Sequence, residues 1–330
     1  MWLTGFIILL IKLSLVLVTV LLLAAYLVLA ERKLLARMQL RHGPNRAGPF
    51  GIWQPVADGI KLLCKEDIVP AGVDRLIYPF APAVVAMVPL LTLAVIPLGE
   101  DITLWGRPVA LLIGDLNVGL LYVLALASLG VYGVALGGWA SKSKYSLLGG
   151  LRGAAQMVSY ELGLGLSLVP VVMLAGSFSL REIVAAQAGY PFLLVQPLAF
   201  VIFLASAMAE SKRLPFDLPE AENELMAGYH TEYSGMRFAL FFLGEYVHMI
   251  VLGCLTAVFF LGGWHGPLLP PAIWFFIKAM AVPFFLIWSR ASLPRLRYDQ
   301  LMALGWKVML PLALFNIVLT GAVLLWWRGI

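Results

Sequence analysis

A chain of 330 residues that is 62% hydrophobic and only 12% charged departs far from the roughly 45–50% apolar and 25% charged usage of a soluble domain. That composition excludes a water-soluble enzyme or binding module. The net charge of +5 comes with no nucleic-acid recognition motif, and most basic residues follow hydrophobic runs, so the charge reads as a membrane-insertion signal.

Apolar windows of about 20 residues, the length needed to cross a bilayer, fall near 5–29, 78–98, 116–137, 157–175, 193–209, 238–261, 273–289 and 308–327. Lipid offers backbone groups no partner and barrel-type alternation is absent, so each window is expected to be a helix. The predicted fold is an all-α polytopic membrane protein of about eight spans. No composition shift, linker or repeat divides residues 1–330, which read as a single membrane domain. Glu31, Arg32 and Lys33 follow the first window where a small-residue cleavage site would sit, so that window reads as a retained anchor. Cys64 and Cys254 lack CxxC or Cys/His spacing, and no disulfide framework or metal site is expected. Lys and Arg collect in the first, third, fifth and seventh loops, whereas only Arg107, Arg181 and Arg328 fall on the opposite side. This places those loops in the cytoplasm and both termini outside.

The first loop opens on ERKLLARMQLRHGPNRAGPFG, in which Gly43, Pro44, Gly48, Pro49 and Gly51 impose a stiff irregular path. Its Arg37, Arg41 and Arg46 have two readings, contact with lipid headgroups or docking of an acidic partner surface. Over residues 50–65, Ile52, Val56, Ile60 and Leu63 recur three or four positions apart, with Gln54, Asp58, Lys61 and Lys65 directed elsewhere. This spacing predicts an amphipathic helix too short and polar to span. It would lie in the interfacial plane, as a surface brace or as one wall of a lateral opening for an apolar ligand.

The fifth loop, 210–237, reverses the basic trend. Glu210, Asp217, Glu220, Glu222, Glu224 and Glu232 outnumber Lys212, Arg213 and Arg237. Pro215 and Pro219 end the preceding helix, and Pro219 can open a new one with acidic residues at its positive end. A solvated acidic helix is the plain reading; crowded carboxylates under a cover would instead hold raised pKa values suited to proton exchange.

Five ionisable side chains fall inside the windows: Lys12, Glu161, Glu245, His248 and Lys278. Such residues are costly in lipid and are candidates for an ion or proton pathway. Glu161 lies about 6 Å from the cytoplasmic end of its window, so snorkelling is an equal reading, whereas Glu245 is about 10 Å deep. His248 is three residues on from Glu245, hence on the same face. A Glu–His bond that ties helices together stays open beside the pathway reading. No nucleophile–base pair, metal-ligand set or phosphate loop is found, and these residues alone do not give a substrate.

Four long strings carry a family resemblance: AERKLLARMQLRHGPNRAGPFGIWQPVADGIKLLCKED, SKYSLLGGLRGAAQMVSYELGLGLS, PFDLPEAENELMAGYHTEYSGMRFALFFLGEY and RASLPRLRYDQLMALGWKVMLPLAL. In them the chain resembles the quinone-site membrane subunit of respiratory complex I, the H-type subunit of bacterial NADH:quinone oxidoreductase and NADH dehydrogenase subunit 1 of mitochondria. The likeness covers nearly the whole chain, in family order. It implies a long quinone chamber entered from the bilayer, with Arg32, Arg37, Arg46, Gln54, Asp58, Lys61 and Phe216 at its lining or mouth. It also implies an acidic route into the membrane through Glu161, Glu210, Asp217, Glu220, Glu222, Glu224 and Glu245, and second to sixth spans built like half of an antiporter. Ubiquinone or menaquinone is the implied substrate. The iron–sulfur clusters and FMN belong to partner subunits, and this chain binds no metal or covalent cofactor of its own. Implied partners are the peripheral-arm subunits with the terminal iron–sulfur cluster, the small and antiporter-like membrane subunits, and lipid, in a bacterial inner membrane. The segment Glu210–Arg213 departs from the expected Glu-x-Asn-Arg pattern at Ser211 and Lys212. A membrane anchor of an energy-converting hydrogenase and a stand-alone cation or proton transporter are the competing readings. The first would lack a quinone site, and the second would show midplane substrate residues and paired broken helices.

Overall fold

A computed structural model describes residues 2–104, 107–220 and 222–328. The chain runs α1 (Trp2–Met38), α2 (Gln54–Cys64), α3 (Ile77–Thr92), a short hairpin of β1 (Ile102–Leu104) and β2 (Arg107–Val109), α4 (Gly119–Ala140), α5 (Lys144–Ala175), α6 (Leu180–Ala185), α7 (Phe192–Val195), α8 (Pro197–Glu210), α9 (Glu222–Leu225), α10 (Gly235–Phe259), α11 (Pro271–Ser292), α12 (Tyr298–Ala303) and α13 (Leu310–Arg328). A π-helical stretch over Leu304–Met309 joins the last two into one span.

Among the described residues, seven helices are long and apolar enough to cross a bilayer. The fifth predicted span is the exception, because it is broken. Gln196 leaves helical geometry between α7 and α8, and the 14 residues of α8 rise only about 21 Å against a hydrocarbon core of about 30 Å. The hairpin pairs Ile102 with Val109 in an antiparallel register on the side opposite the basic loops, a small addition to an otherwise helical fold.

Three spans run well past their predicted windows on the basic side: α1, α5 and the last, which begins at Tyr298. α1 continues through Met38 because nothing between Ala30 and Met38 breaks a helix, so Glu31, Arg32 and Arg37 lie on helix rather than loop. α5 begins at Lys144, and its added turns bury Ser146, Gly149, Gly150 and Gly153 against neighbouring segments.

The helices close around α10. Sixty-one percent of its central apolar window is buried, against 6% for that of α1. It packs on α3, α11 and α1, while α4, α5 and α8 continue the layer. Small residues set the spacing: a Cβ on Gly244 would come within 2.6 Å of the Val85 carbonyl of α3, the close approach that packs helices where water gives no hydrophobic drive. Tyr160, Phe203, Phe259 and Phe260 fill the interior. Lys278, whose role the sequence leaves open, reaches the end of α10. Its Nζ donates to the carbonyls of Leu261 (2.6 Å), Gly263 (3.1 Å) and His265 (2.6 Å) just beyond α10, where a cation offsets the orphan carbonyls and the helix dipole.

Candidate functional site

A cavity of about 440 Å³ opens between α1, α2 and α10. α2 begins where Pro55 can occupy its first turn, and it lies beside α1 and α10. It turns Gln54, Asp58 and Lys61 to the cavity together with Pro55, Leu62 and Leu63, whereas Ile52, Val56 and Ile60 beside and along it stay exposed, outside the lining. Exposed apolar side chains on a surface helix fit contact with acyl chains. α1 supplies Ala24, Ala25, Val28 and Leu29, and α10 supplies Phe238, Ala239, Phe242 and Leu243, so most of the wall is apolar. At the polar edge Arg32 pairs with Asp58 at 2.7 Å, and Gln54 Nε2 donates to the same carboxylate at 2.9 Å. An apolar chamber with a few convergent polar groups is the usual form of a small-molecule site.

Of the predicted chamber residues, Arg32, Gln54, Asp58 and Lys61 line this cavity together. Arg37 and Arg46 do not; both are exposed, the first on α1 and the second in the loop beyond it. Phe216 is also outside the lining. It is buried in the core with its ring 5.5 Å from that of Tyr160. The Pro-Phe-Asp segment folds inward there because Gln156 Nε2 donates to the carbonyls of Ala209 (2.7 Å) and Phe216 (2.8 Å).

Behind the cavity wall sits a buried charge cluster. Tyr246, whose ring lines the cavity, donates its hydroxyl to Glu31 at 2.6 Å. Glu31 is 3% exposed and also accepts from Arg213 Nη1 (2.8 and 3.1 Å) and from Arg290. The Arg213 guanidinium lies 4.7 Å over the Tyr246 ring, and its Nη2 is 3.8 Å from Glu245. One carboxylate thus ties α1, α10, α11 and the acidic loop together, two guanidiniums offsetting its burial cost. Glu31, Arg213, Tyr246 and Arg290 are not among the predicted site residues; ERK after a span looks like a charge flank, and only the folded loop shows where Glu31 points.

The acidic loop is largely interior. Ser211, Lys212, Arg213, Asp217, Leu218 and Tyr229 are buried, and the helix expected after Pro219 shrinks to the four residues of α9. Asp217 pairs with Arg295 at 3.0 Å; burial still pushes its carboxyl up to about 6 against that cation's pull. Glu220, half-buried, shares a hydrogen bond with Glu245, and burial together with that neighbouring charge raises it well above the ordinary carboxylate range. The loop closes over Glu245 through Tyr229, whose hydroxyl lies 3.4 Å from Glu245 Oε1 and whose ring carries the Lys212 ammonium at 4.7 Å. Burial lowers the Lys212 amine.

Glu210, Lys212, Glu245 and His248 line a second cavity of about 40 Å³. Glu161 stands near it on α5, where it accepts from Ser128 of α4, and its charge acts on Glu210. Glu224 lies apart, on the surface, paired with Arg152 at 2.7 Å. Glu222 opens α9, and its side chain lies outside the described residues. The structure therefore brings Glu210, Asp217, Glu220 and Glu245 together, with Glu161 alongside and Glu224 separate. Among the described residues no group of three His, Cys, Asp or Glu side chains could hold a metal ion.

A family profile described as NADH dehydrogenase matches residues 11–321. The chain is 69% identical over 325 residues to the second of the NADH-quinone oxidoreductase H subunits of Syntrophobacter fumaroxidans, across 98% of each chain. It is 65% identical over 314 residues to the first of the H subunits of Geobacter metallireducens, across 95% of each, and 56% identical over 317 residues to the corresponding protein of Thermomicrobium roseum, across 93% of each. With the family profile covering residues 11–321 and a relative 69% identical across 98% of the chain, the chain belongs to the NADH dehydrogenase family, alongside the NADH-quinone oxidoreductase H subunits.

Proposed function

We propose that this chain is the membrane subunit that houses the quinone in a proton-translocating NADH:quinone oxidoreductase and links quinone reduction to proton movement through its buried carboxylates. The observation that carries the reading is the 440 Å³ cavity whose wall residue Tyr246 also touches the Glu31 cluster, and so Arg213 and Glu245. A quinone needs an apolar tunnel for its isoprenoid tail and polar groups to orient its head, and α1, α2 and α10 supply both.

Electrons come from an iron–sulfur cluster in a peripheral partner subunit, and FMN also belongs to the partners. The residues here bind and orient the quinone, exclude water and hold protons. Reduction adds negative charge near the Arg32–Asp58 pair and the guanidiniums behind it. Arg213 lies between Glu31 and Glu245, so a field change on the cavity side alters its share of interaction with Glu245. That shifts how strongly Glu245 and Glu220 hold the proton between them. Glu210 and Glu161 continue the route toward neighbouring antiporter-like and small membrane subunits. The complex sits in the bacterial inner membrane with both termini of this chain outside, as the clustering of basic residues supports. Ubiquinone and menaquinone fit the cavity's chemistry equally.

The test is the complete complex in proteoliposomes, with Glu245→Gln and Glu161→Gln made singly. Each is expected to lower protons moved per electron or to slow turnover with it; unchanged pumping at unchanged turnover in both refutes the coupling role. A photoaffinity quinone analogue is expected to label α1, α2 or α10. Labelling confined to other subunits refutes the site.

A further inference from the structure

The small cavity between the helices contains a group that the carboxylate route does not use. His248 lies on α10 one turn after Glu245, and its Nε2 is fully enclosed with no hydrogen bond among the described residues. Glu210 Oε1 lies 3.6 Å from it, just beyond bonding reach. Buried imidazole nitrogens that only brace a fold are normally satisfied, and one left open asks for an explanation. The cavity of about 40 Å³ supplies it, since roughly 10–15 Å³ of such space holds a water when polar groups surround it.

The polar groups facing this space come from three elements. Glu210 ends α8, Ser211 and Lys212 belong to the acidic loop, and Glu245 shares the helix with His248; α3, α4 and α5 present only apolar side chains or backbone there. Glu161 of α5 stands behind Glu210, and its negative charge acts on that carboxyl. Histidine is the side chain whose ring both accepts and donates a proton near neutral pH.

We propose that His248 is a proton-exchange group that passes a proton between Glu210 and Glu245 by way of a water in this cavity, a role that rests on the carboxylate route proposed above. The O–H bond of protonated Glu210 breaks as an N–H bond forms at His248 Nε2, leaving a carboxylate and an imidazolium. The imidazolium gives a proton to the water, the water releases one to the Glu245 carboxylate, and the ring returns to neutral. No electrons move in these steps. The Lys212 ammonium faces the same space and disfavours a second positive charge, so the imidazolium is short-lived and the proton is passed on rather than stored.

His248→Gln and His248→Asn in the complete complex, reconstituted in proteoliposomes, test this. Both keep a polar side chain but cannot take up a proton. Since general acid–base groups typically contribute about a hundredfold or more, we expect quinone reduction and proton uptake to fall together by at least about tenfold, with the pH dependence of turnover altered. Turnover within about twofold of the parent, with the same pH profile and protons per electron, overturns the role. If Glu245→Gln loses pumping while the His248 variants behave as the parent, only His248 is misassigned; if Glu245→Gln also pumps normally, the route fails. Should neither His248 variant assemble, infrared difference spectra of the parent complex, with isotope-labelled histidine placed at position 248 alone, decide. An imidazole band that changes on quinone reduction and shifts with that label supports the proposal, and no label-sensitive change overturns it.

Discussion

Arg213 has more at stake than any other single side chain in the buried cluster. It holds Glu31 through both carboxylate oxygens, stacks over Tyr246 and approaches Glu245. Breaking a buried ion pair by removing one partner costs about 3–5 kcal/mol, and although Arg290 and Tyr246 still hold Glu31, loss of Arg213 also strips Glu245 of its guanidinium. Arg213→Met is therefore expected to lower the melting temperature and yield of the purified complex sharply. Arg213→Lys should recover only part, because an ammonium cannot reproduce the planar fork. Equal stability of the lysine variant and the parent would show that the guanidinium geometry is unimportant. Asp217 gives a pH prediction of definite sign. Its carboxyl titrates near 6 in the fold against 3.8 unfolded. Below about pH 4 both states hold the proton, so the folded state carries no penalty. As pH rises through 4 to 6 the fold retains a proton that the unfolded chain has released, and above 6 it must hold a desolvated carboxylate. Stability thus falls across that window, by about 3 kcal/mol. Asp217→Asn is expected to flatten this part of the pH–melting curve; a slope unchanged by the substitution would mean that Asp217 is not its source.

Among elements, the acidic loop is the one whose path depends on a single backbone position. Gly228 has φ +60°, and a Cβ there would lie 1.8 Å from the Pro219 carbonyl, so no side chain fits without unfolding the turn that carries Tyr229 onto Glu245. Gly228→Ala should cost several kcal/mol, combining a left-handed backbone with a backbone clash, and should abolish quinone reduction along with assembly. Gly165→Ala in α5, where nothing lies within 4 Å, is the control and should leave both intact. Much of the helical layout is legible in the sequence because lipid demands long apolar helices and permits little else. α2 is legible through its three-to-four-residue apolar spacing. The helix ends are not: hydropathy reports where lipid stops, not where a helix stops, so α1 and α5 run past their windows. The break at Gln196 is hidden too, since the window from 193 to 209 is apolar almost throughout while the geometry changes at one polar residue, held by Asn316 and Thr320 of α13. In the site, the carboxylates are legible as residues out of place in an apolar chain. Glu31, Arg290 and Arg295 are not, because what makes them matter is a partner tens to hundreds of positions away.

For the whole molecule, the arrangement joins two spaces of different character. The larger is walled by α1, α2 and α10 and carries its ionisable groups at one edge; the smaller, set among α3, α4, α8, α10 and the loop, gathers Glu210, Lys212, Glu245 and His248 against apolar side chains. Helix α10 contributes to both, Tyr246 facing the first and Glu245 with His248 the second. If the chain works as proposed, a substrate with a long apolar tail occupies the larger space before any charge reaches the smaller one. Filling that space tests this order. Ala239 of α10 lines the cavity, and Ala239→Trp would place an indole where the tail runs. Overpacking a fitted site typically costs about 1–3 kcal/mol, which is about a five- to hundred-and-fifty-fold weakening of binding. The KM for a long-tailed quinone should rise by that factor, while a short-tailed analogue should suffer less because its head reaches the polar edge with little of the tunnel occupied. Protons moved per electron should stay unchanged, since the carboxylate cavity is untouched. Equal KM values for long-tailed quinone in the variant and the parent would place the tail elsewhere. A change in stoichiometry would mean instead that the two spaces are not separated by the cluster around Glu31.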